Sequence, residues 1–569
     1  MFSEFREAVL ETLKKEVPAR AEDLVEPPEP KRFRGSGTSF REPPEGMGEL
    51  GYPCFGLAKE QKKSPADIAK TLAVRLKTKT PISEVRAVGP YVNFFVDWNA
   101  FASSVKQASS KTWGSSSVGK NKTVIVEYSS PNVAKPMHAG HLMTTVVGDS
   151  IYRLLRAQGY KTVRINHIGD WGTQFGKLVV AYEKWGDEAA LKKNPIKELV
   201  RVYVRFHEEA ERNDALEEDA RKAFALLEKG DKKLRATWKR FVELSLEEFK
   251  RTYAELGVDF DAWTGESFYE EMLGDVIEDA LKKRIAEEEA DGSVVIKFGD
   301  LPPMLIRKSD GSSLYATRDL ATLRYRAAHY KFNKCVYVVG AQQTLHFQQL
   351  FAAVSRLGYA DPQKCVHVPT GYINLPGGAM STRKGTAILA DEILEEAKRR
   401  AANVIEEKNP TIKNKNAVVN KVAMGAVKYT NLAQHRGKDV TFEWDKVVNL
   451  RGNSGPYLQY TYARASSILR EGKAKKVKPK YEDANERRLL LKISKLPDAA
   501  EAAALNLTPH VVAVYLHELA ELFNSFYENC HVLKEKEPVR SSRLLLVGAF
   551  RNTMGRGLEL LGIEPLEEM

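Results

Sequence analysis

Residues 124–159 constrain this chain most. A short apolar run, Val124-Ile125-Val126, leads into S-S-P-N-V-A-K-P-M-H-A-G-H (129–141). A helical pattern follows, from Leu142-Met143 to Leu154-Leu155, and stops near Gly159. Strand, tight polar loop, then helix is the layout of a nucleotide site in an open α/β sheet. The helix N-terminus is expected to offer unpaired N–H groups and a partial positive charge, both suited to phosphate. His138 and His141 are three apart, so a first helical turn puts them on one face. Gly140 between them removes a side chain where a flat base approaches the backbone. Two imidazoles and Lys135 directed at one anion suit the stabilisation of charge on a transferring phosphoryl group. The same H-x-x-H pair also suits a helix cap or a metal.

A chain of 569 residues is too long for one core, since a domain takes roughly 150 residues. Hydrophobic residues make up 43% and charged residues 28%, which is ordinary for a globular protein. No long uncharged apolar run is present, so no membrane span is expected. The charged, amphipathic start M-F-S-E-F-R-E-A-V-L is unlike a signal peptide. Cys54, Cys335, Cys365 and Cys530 are far apart; with no C-x-x-C spacing we expect neither structural zinc nor a disulfide framework, and a reducing cytoplasm suits them. The net charge of +12 fits a polyanionic partner such as nucleic acid, and equally a lysine-rich surface.

Taken in order, residues 1–15 read as an amphipathic helix with Phe5, Val9, Leu10 and Leu13 on one face. Residues 25–50 look irregular. A helix starts at Ser64-Pro65, and Ile82–Val88 and Tyr91–Val96 read as strands around Gly89-Pro90. The Ser/Lys/Gly-rich stretch 106–121 reads as a linker. A second strand, Lys161–Asn166, ends in H-I-G-D-W-G-T-Q-F-G (167–176), where Asp170 and Gln174 are candidates to line a site. Residues 178–290 read as a charged helical insertion. The sheet is expected to resume with Ser293–Phe298, Met304–Lys308 and Ser313–Thr317. Tyr315 and Asp319 then stand four apart at a strand-to-helix junction, where a carboxylate matches the fork of a guanidinium; an N-terminal-turn acid is the alternative. Cys335–Val339 reads as a buried strand, followed by Gln343 and His346 at a helix opening. Gly377–Gly385 is a Gly-flanked basic loop suited to a triphosphate. From about 390 the chain reads as helix: 390–406, 416–434, 486–504, 508–529 and 541–561.

HAGH resembles the HIGH signature of class I aminoacyl-tRNA synthetases. The full string S-S-P-N-x-A-K-P-x-H-x-G-H resembles one branch of that class, the arginyl-tRNA synthetases. So do G-D-W-G-T-Q-F-G, Y-A-T-R-D (315–319), M-S-T-R-K-G (380–385) and R-N-T-M-G-R-G-L-E-L-L-G-I near the C-terminus. G-Y-P-C-F-x-L-A-K and V-G-P-Y-V-N-F resemble that family's N-terminal tRNA-contacting domain. The resemblance implies a multidomain α/β protein. Residues 1–112 would be the small N-terminal α/β domain, and 120–390 a Rossmann-like, doubly wound parallel-sheet catalytic domain, its insertion at about 178–290 holding the tRNA acceptor end. A helical connection would follow at 391–451, and an all-α anticodon-binding domain at 452–569.

It further implies an ATP-dependent arginine–tRNA ligase that forms arginyl-adenylate and then charges tRNA(Arg), activation requiring bound tRNA. Its partners would be L-arginine, ATP with Mg²⁺, and tRNA(Arg); we expect a cytoplasmic monomer. His138, His141, Lys135 and Lys384 would be catalytic. Gly140, His346, Met380, Ser381, Arg383 and Lys384 would join the two histidines in holding ATP. Glu127, Ser129, Asn132, His138, Tyr315, Asp319 and Gln343 would hold arginine, while Tyr457, Tyr460 and Arg464 would stack on unpaired bases of the tRNA. One departure stands out: Thr382 occupies the place of the lysine that usually follows Met-Ser, which leaves open whether Lys135 or Lys384 supplies the main cation. A nucleotidyltransferase without tRNA and a non-catalytic RNA-binding paralogue are the rival readings; the long helical C-terminus argues against the first, and the intact histidines against the second.

Overall fold

A computed structural model describes residues 1–17, 24, 47–374 and 388–569. The stretch 25–46 and the basic loop 375–387 lie outside them, and with that loop the expected roles of Met380, Ser381, Arg383 and Lys384. The chain divides into two compact units, Met1–Ser116 with Lys408–Val418 and Asn449–Met569, and Ser117–Glu407 with Val419–Val448.

In the first unit, β1 (Leu50–Pro53), β2 (Ile82–Val88) and β3 (Tyr91–Val96) form an antiparallel sheet in the order β1-β3-β2. The Phe2–Leu13 helix buries Phe2, Phe5, Val9 and Leu13 as its period requires, while Leu10 is only half-buried. The expected linker at 106–121 is not free. Val105 and Ala108 are buried, Asn552 Nδ2 donates to the carbonyls of Ala108 (2.6 Å) and Ser110 (2.9 Å), and Arg556 Nε donates to that of Trp113. Polar composition suggested a solvated segment, but donors on the Val539–Leu560 helix satisfy its backbone. The helix expected over 486–504 is two, Ala484–Ser494 and Leu496–Leu505. Pro497, at the start of the second, has no N–H to continue the first.

The second unit is built on β4 (Thr123–Glu127), β5 (Lys161–Asn166), β6 (Ala262–Trp263), β10 (Lys334–Gly340) and β11 (Cys365–Thr370), all parallel, in the order β11-β10-β4-β5-β6. Val124, Ile125 and Val126 are at most 1% exposed, as expected of a strand covered on both faces. The chain winds outward from β4 through β5 to β6, then returns to β10 beside β4 and winds the other way. The switch point therefore lies between β4 and β10, where Glu127 is paired with Tyr337.

Three expectations about this unit need correction. The helical excursion is interrupted after Leu256, where Ala262 and Trp263 pair with Ile165 and Asn166 as β6, and α-helix resumes only at Leu273–Lys282. The segments expected to resume the main sheet, 293–298 and 304–308, instead hold β8 (Val294–Ile296) and β9 (Met304–Arg307). These pair antiparallel with each other, and β8 with β7 (Ala286–Glu288), in a separate sheet. The seven-residue connection between β8 and β9 is too short for a parallel crossover. Finally, 313–317 is no strand: the Tyr315–Tyr330 helix has begun by Tyr315. Within the expected helical connection, β13 (Val440–Thr441) pairs in parallel with β12 (Ile373–Asn374). Among the described residues no helix is long and apolar enough to cross a membrane. All four cysteines are free and buried.

Candidate active site

The loop leaving β4 is strained. Ser129, Ser130 and Ala134 have φ of +74°, +49° and +60°, a region that costs L-residues about 1–3 kcal/mol each. The chain then enters the Ala139–Ala157 helix through a reciprocal cap. His138 Nδ1 accepts the Gly140 N–H (3.1 Å), and His141 Nδ1 accepts the His138 N–H (3.2 Å). The two rings stack 3.7 Å apart. A Cβ on Gly140 would sit 2.9 Å from His138 Cε1, so this glycine makes room for the imidazole that folds back over it.

The cap revises how this helix end meets an anion. The Gly140 N–H is taken by His138 and the Ala139 N–H by the Ile388 carbonyl at 2.9 Å, so these backbone donors are not free for phosphate. The imidazoles replace them. With Nδ1 accepting, the neutral ring carries its proton on Nε2. Burial lowers both pKa values, helped by Lys135 at His138 and by His138 at His141, the latter to about 3. At neutral pH the pair presents two uncharged Nε2–H donors.

A cavity of about 490 Å³ opens at the switch point, and Glu127, Asn132, Tyr315, Asp319, Gln343 and His346 all line it. Tyr315 and Asp319 share the first turn and a half of their helix. Asp319 Oδ2 lies 2.6 Å from His346 Nε2, and Tyr315 packs edge-on against the same imidazole at 5.0 Å. His346, expected on the nucleotide side, lies in this cavity beside Asp319 and Tyr315. Glu127 does not face the cavity as an unpaired charge: its Oε2 lies 2.5 Å from Nη2 of Arg326, which is fully buried. Arg318, an alternative partner for Asp319, is engaged by Glu270 (2.6 Å).

Ser129 does not present its hydroxyl to the cavity; it is buried and bonded to Tyr253 and Thr145. Its neighbour Ser130 lines the cavity, with a buried hydroxyl that has no partner. Asp170 is likewise internal, accepting from the Ser267 N–H (2.9 Å) and hydroxyl (2.6 Å). Gln174 begins the Gln174–Trp185 helix. Lys135 is exposed, its Nζ 5.7 Å from the centre of the Tyr203 ring. Sequence reading missed Glu266, whose carboxyl also lines the cavity and is pushed up to about 8 by burial, with Arg318 opposing; nothing in G-E-S-F-Y marks it. It missed Arg326 as well, which sits among charged residues in a helical string.

In the other unit, Tyr460 and Arg464 line an open cleft of about 810 Å³. The Arg464 guanidinium lies between the rings of Tyr460 (5.1 Å) and Tyr527 (5.0 Å), and Nη1 donates to Asn524. Tyr457 is turned to Asn524 Nδ2, which donates to its hydroxyl at 2.7 Å. This cleft is the larger of the two, but among the described residues that line it there is no counterpart to the histidine cap or to the Asp319–His346 pair.

A doubly wound parallel sheet with an H-x-G-H cap at its switch point and a helical insertion after its second strand defines a class I aminoacyl-tRNA synthetase. Residues 104–444 match the family model for the class I (R) tRNA synthetase catalytic domain, 458–569 the DALR anticodon binding domain, and 4–96 the arginyl tRNA synthetase N-terminal domain. An arginine–tRNA ligase of Clostridium perfringens is 44% identical over 92% of this chain and 94% of its own. One of Clostridium beijerinckii is 42% identical over the whole of both. Among solved structures, the Thermus thermophilus arginyl-tRNA synthetase superimposes with a TM-score of 0.83 over the full length of both chains, at 27% identity. The chain belongs to the arginyl-tRNA synthetase family.

The neutral cap has a pH signature. An unfolded histidine binds a proton near pH 6.5, whereas folded His141 stays neutral down to about 3. The unfolded state therefore binds more protons between these values, and stability is lost as pH falls through that window. His141→Asn keeps an acceptor for the His138 N–H and removes the titration. Its melting temperature should fall less steeply than the wild type's between pH 7 and pH 4; parallel slopes would show that His141 is not held neutral.

Proposed function

We propose that this chain carries out the reaction of its family, joining L-arginine to the 3′ end of tRNA with ATP. The observation that carries this reading is the convergence of Glu127, Asn132, Tyr315, Asp319 and Gln343 on one cavity at the sheet's switch point. The arginine carboxylate attacks the α-phosphate of ATP in line and pyrophosphate leaves; the arginyl group then passes to the ribose of the terminal nucleotide. No covalent enzyme intermediate is needed, because placement and charge stabilisation supply the catalysis. Mg²⁺ enters with ATP, as part of the substrate. The Nε2–H groups of His138 and His141 donate to phosphoryl oxygens without adding charge, with Gly140 beside them. Lys135 supplies a cation from the same loop, and Met380, Ser381, Arg383 and Lys384 the basic loop over the triphosphate.

On the arginine side, Arg326 already neutralises Glu127, so discrimination for a cationic side chain falls mainly on Asp319. His346 holds one of its oxygens and Tyr315 stands over the pair. Ser130, rather than Ser129, offers the hydroxyl. This reading takes the protein to be a cytoplasmic monomer that meets tRNA(Arg) through residues 1–112, the helical insertion and residues 452–569, with Tyr460 and Arg464 as base-stacking candidates and Tyr457 behind them.

Two outcomes are expected in arginine-dependent pyrophosphate exchange. Asp319→Asn keeps the shape and removes the charge. Losing one partner of a charged pair costs roughly 2–5 kcal/mol, so kcat/KM for arginine should drop steeply while KM for ATP holds. Near-normal use of arginine by that variant would mean that Asp319 is only a helix-turn acid. In the wild type, exchange should be almost absent until tRNA is added, because bound RNA shifts the site toward its competent state by differential affinity. Full exchange without any RNA contradicts that coupling.

A further inference from the structure

The strained 129–134 segment is held from outside the sheet at both of its ends by one helix, Lys232–Leu256. Ser245, fully buried, accepts the N–H of strained Ala134 at its Oγ (3.0 Å) and donates its own proton to the Phe241 carbonyl. Two turns on, Tyr253, 2% exposed, places its hydroxyl 2.6 Å from Oγ of strained Ser129. Two turns before Ser245, Trp238 donates its Nε1–H to the Asp170 carbonyl (2.7 Å), in the second glycine-rich loop. Residues 238, 245 and 253 are seven and eight apart, so they share one helix face.

The hydroxyls at this junction form one connected chain. Thr145 Oγ1 lies 2.6 Å from the His141 carbonyl and 2.7 Å from Ser129 Oγ. Thr145 is the donor, sharing its proton between the His141 carbonyl and Ser129 Oγ. Between Ser129 Oγ and the Tyr253 hydroxyl either oxygen can donate. Asn166 Nδ2 donates to the Tyr253 oxygen (3.1 Å), while Asn166 Oδ1 accepts the N–H of strained Ser130 (3.2 Å). One run of bonds, Asn166 to Tyr253 to Ser129 to Thr145 to His141, ties the helix to the backbone of the second signature histidine. Asn166, Thr145 and Ser245 are all at 0% exposure, so water is not competing for these bonds.

We propose that the Lys232–Leu256 helix is a clamp that holds the phosphate-facing loop in its strained, reaction-ready shape, with Tyr253 and Ser245 as positioning residues. The proposal rests on reading 129–141 as that loop. Neither residue touches substrate. Each acts through the loop: Ser245 on the backbone at Ala134, Tyr253 through Ser129 and Thr145 on the turn that presents the imidazoles.

Full-length Tyr253→Phe, Ser245→Ala, Ser129→Ala and the Tyr253→Phe/Ser129→Ala pair test it, beside His138→Asn. The measurements are exchange kinetics with tRNA present, KM for ATP and for arginine, and melting temperature, with rates referred to folded protein. Misplacing reacting groups by about an ångström costs up to roughly a hundredfold. Tyr253→Phe and Ser245→Ala should therefore lose about tenfold to a hundredfold in kcat with both KM values held within about twofold. Tyr253→Phe should add no further loss in the Ser129→Ala background, because it acts through that residue. Normal kcat with only a lowered melting temperature would make the hydroxyls mere fillers of buried bonding capacity and overturn the proposal, as would additive losses in the double variant. If His138→Asn were also normal, the reading of the loop would fall with it; a collapsed His138→Asn beside normal clamp variants would overturn the clamp alone.

Discussion

The helix cap made by His138 and His141 is the interaction on which the rest of the site depends. It takes Nδ1 of each ring for a backbone N–H and so leaves Nε2–H pointing away from the helix as a donor of fixed tautomer. The cap uses one edge of each imidazole and the proposed catalysis the other, so the two readings of H-x-x-H do not compete. The stack is tight enough that two charged rings would repel strongly, and enclosure disfavours charge on either. The pair is therefore suited to placing hydrogen bonds on an anion without adding charge.

Around the switch-point cavity the ionisable side chains are arranged in pairs: Glu127 with Arg326, Glu270 with Arg318, and Asp319 with His346. The first is the most enclosed, and removing either partner would strand a buried charge at a cost of about 3–5 kcal/mol. Its position two residues before the strained segment anchors the end of β4. Of the three acids, Asp319 alone is partnered by a group that can donate while neutral. In the proposed function it is this acid that meets the guanidinium.

Much of this was legible in the sequence because it is local. The V-I-V run, the polar loop and the periodic helix after it follow from patterns with periods of two and 3.6 residues, and the bounds of β2, β3 and β5 came out as read. The pairing of Tyr315 with Asp319 followed from a helical spacing, although the helix begins at Tyr315 rather than after a strand. What was illegible is what depends on partners distant in sequence. Segments 294–296 and 304–307 look like any short strands, and only the brevity of their connection excludes the parallel sheet. Ser129 and Ser130 are chemically the same letter; backbone angles decide that one is consumed by Tyr253, 124 residues away, and the other faces the cavity. Arg326 and Glu266 carry no local sign of burial, and the Ser/Lys/Gly-rich stretch at 106–121 gives no hint of the donors waiting on the last helix.

The cap depends on the protonation of two rings, and ¹⁵N NMR of the imidazoles at neutral pH reads it directly. With protein labelled at histidine, and resonances assigned through His138→Asn and His141→Asn, both rings should appear neutral, with the proton on Nε2 and Nδ1 in its acceptor state. His141 should stay so down to about pH 4, consistent with its pKa near 3. An imidazolium at either position at pH 7, or a neutral ring protonated on Nδ1, would contradict the cap and with it the description of how this site meets a phosphate.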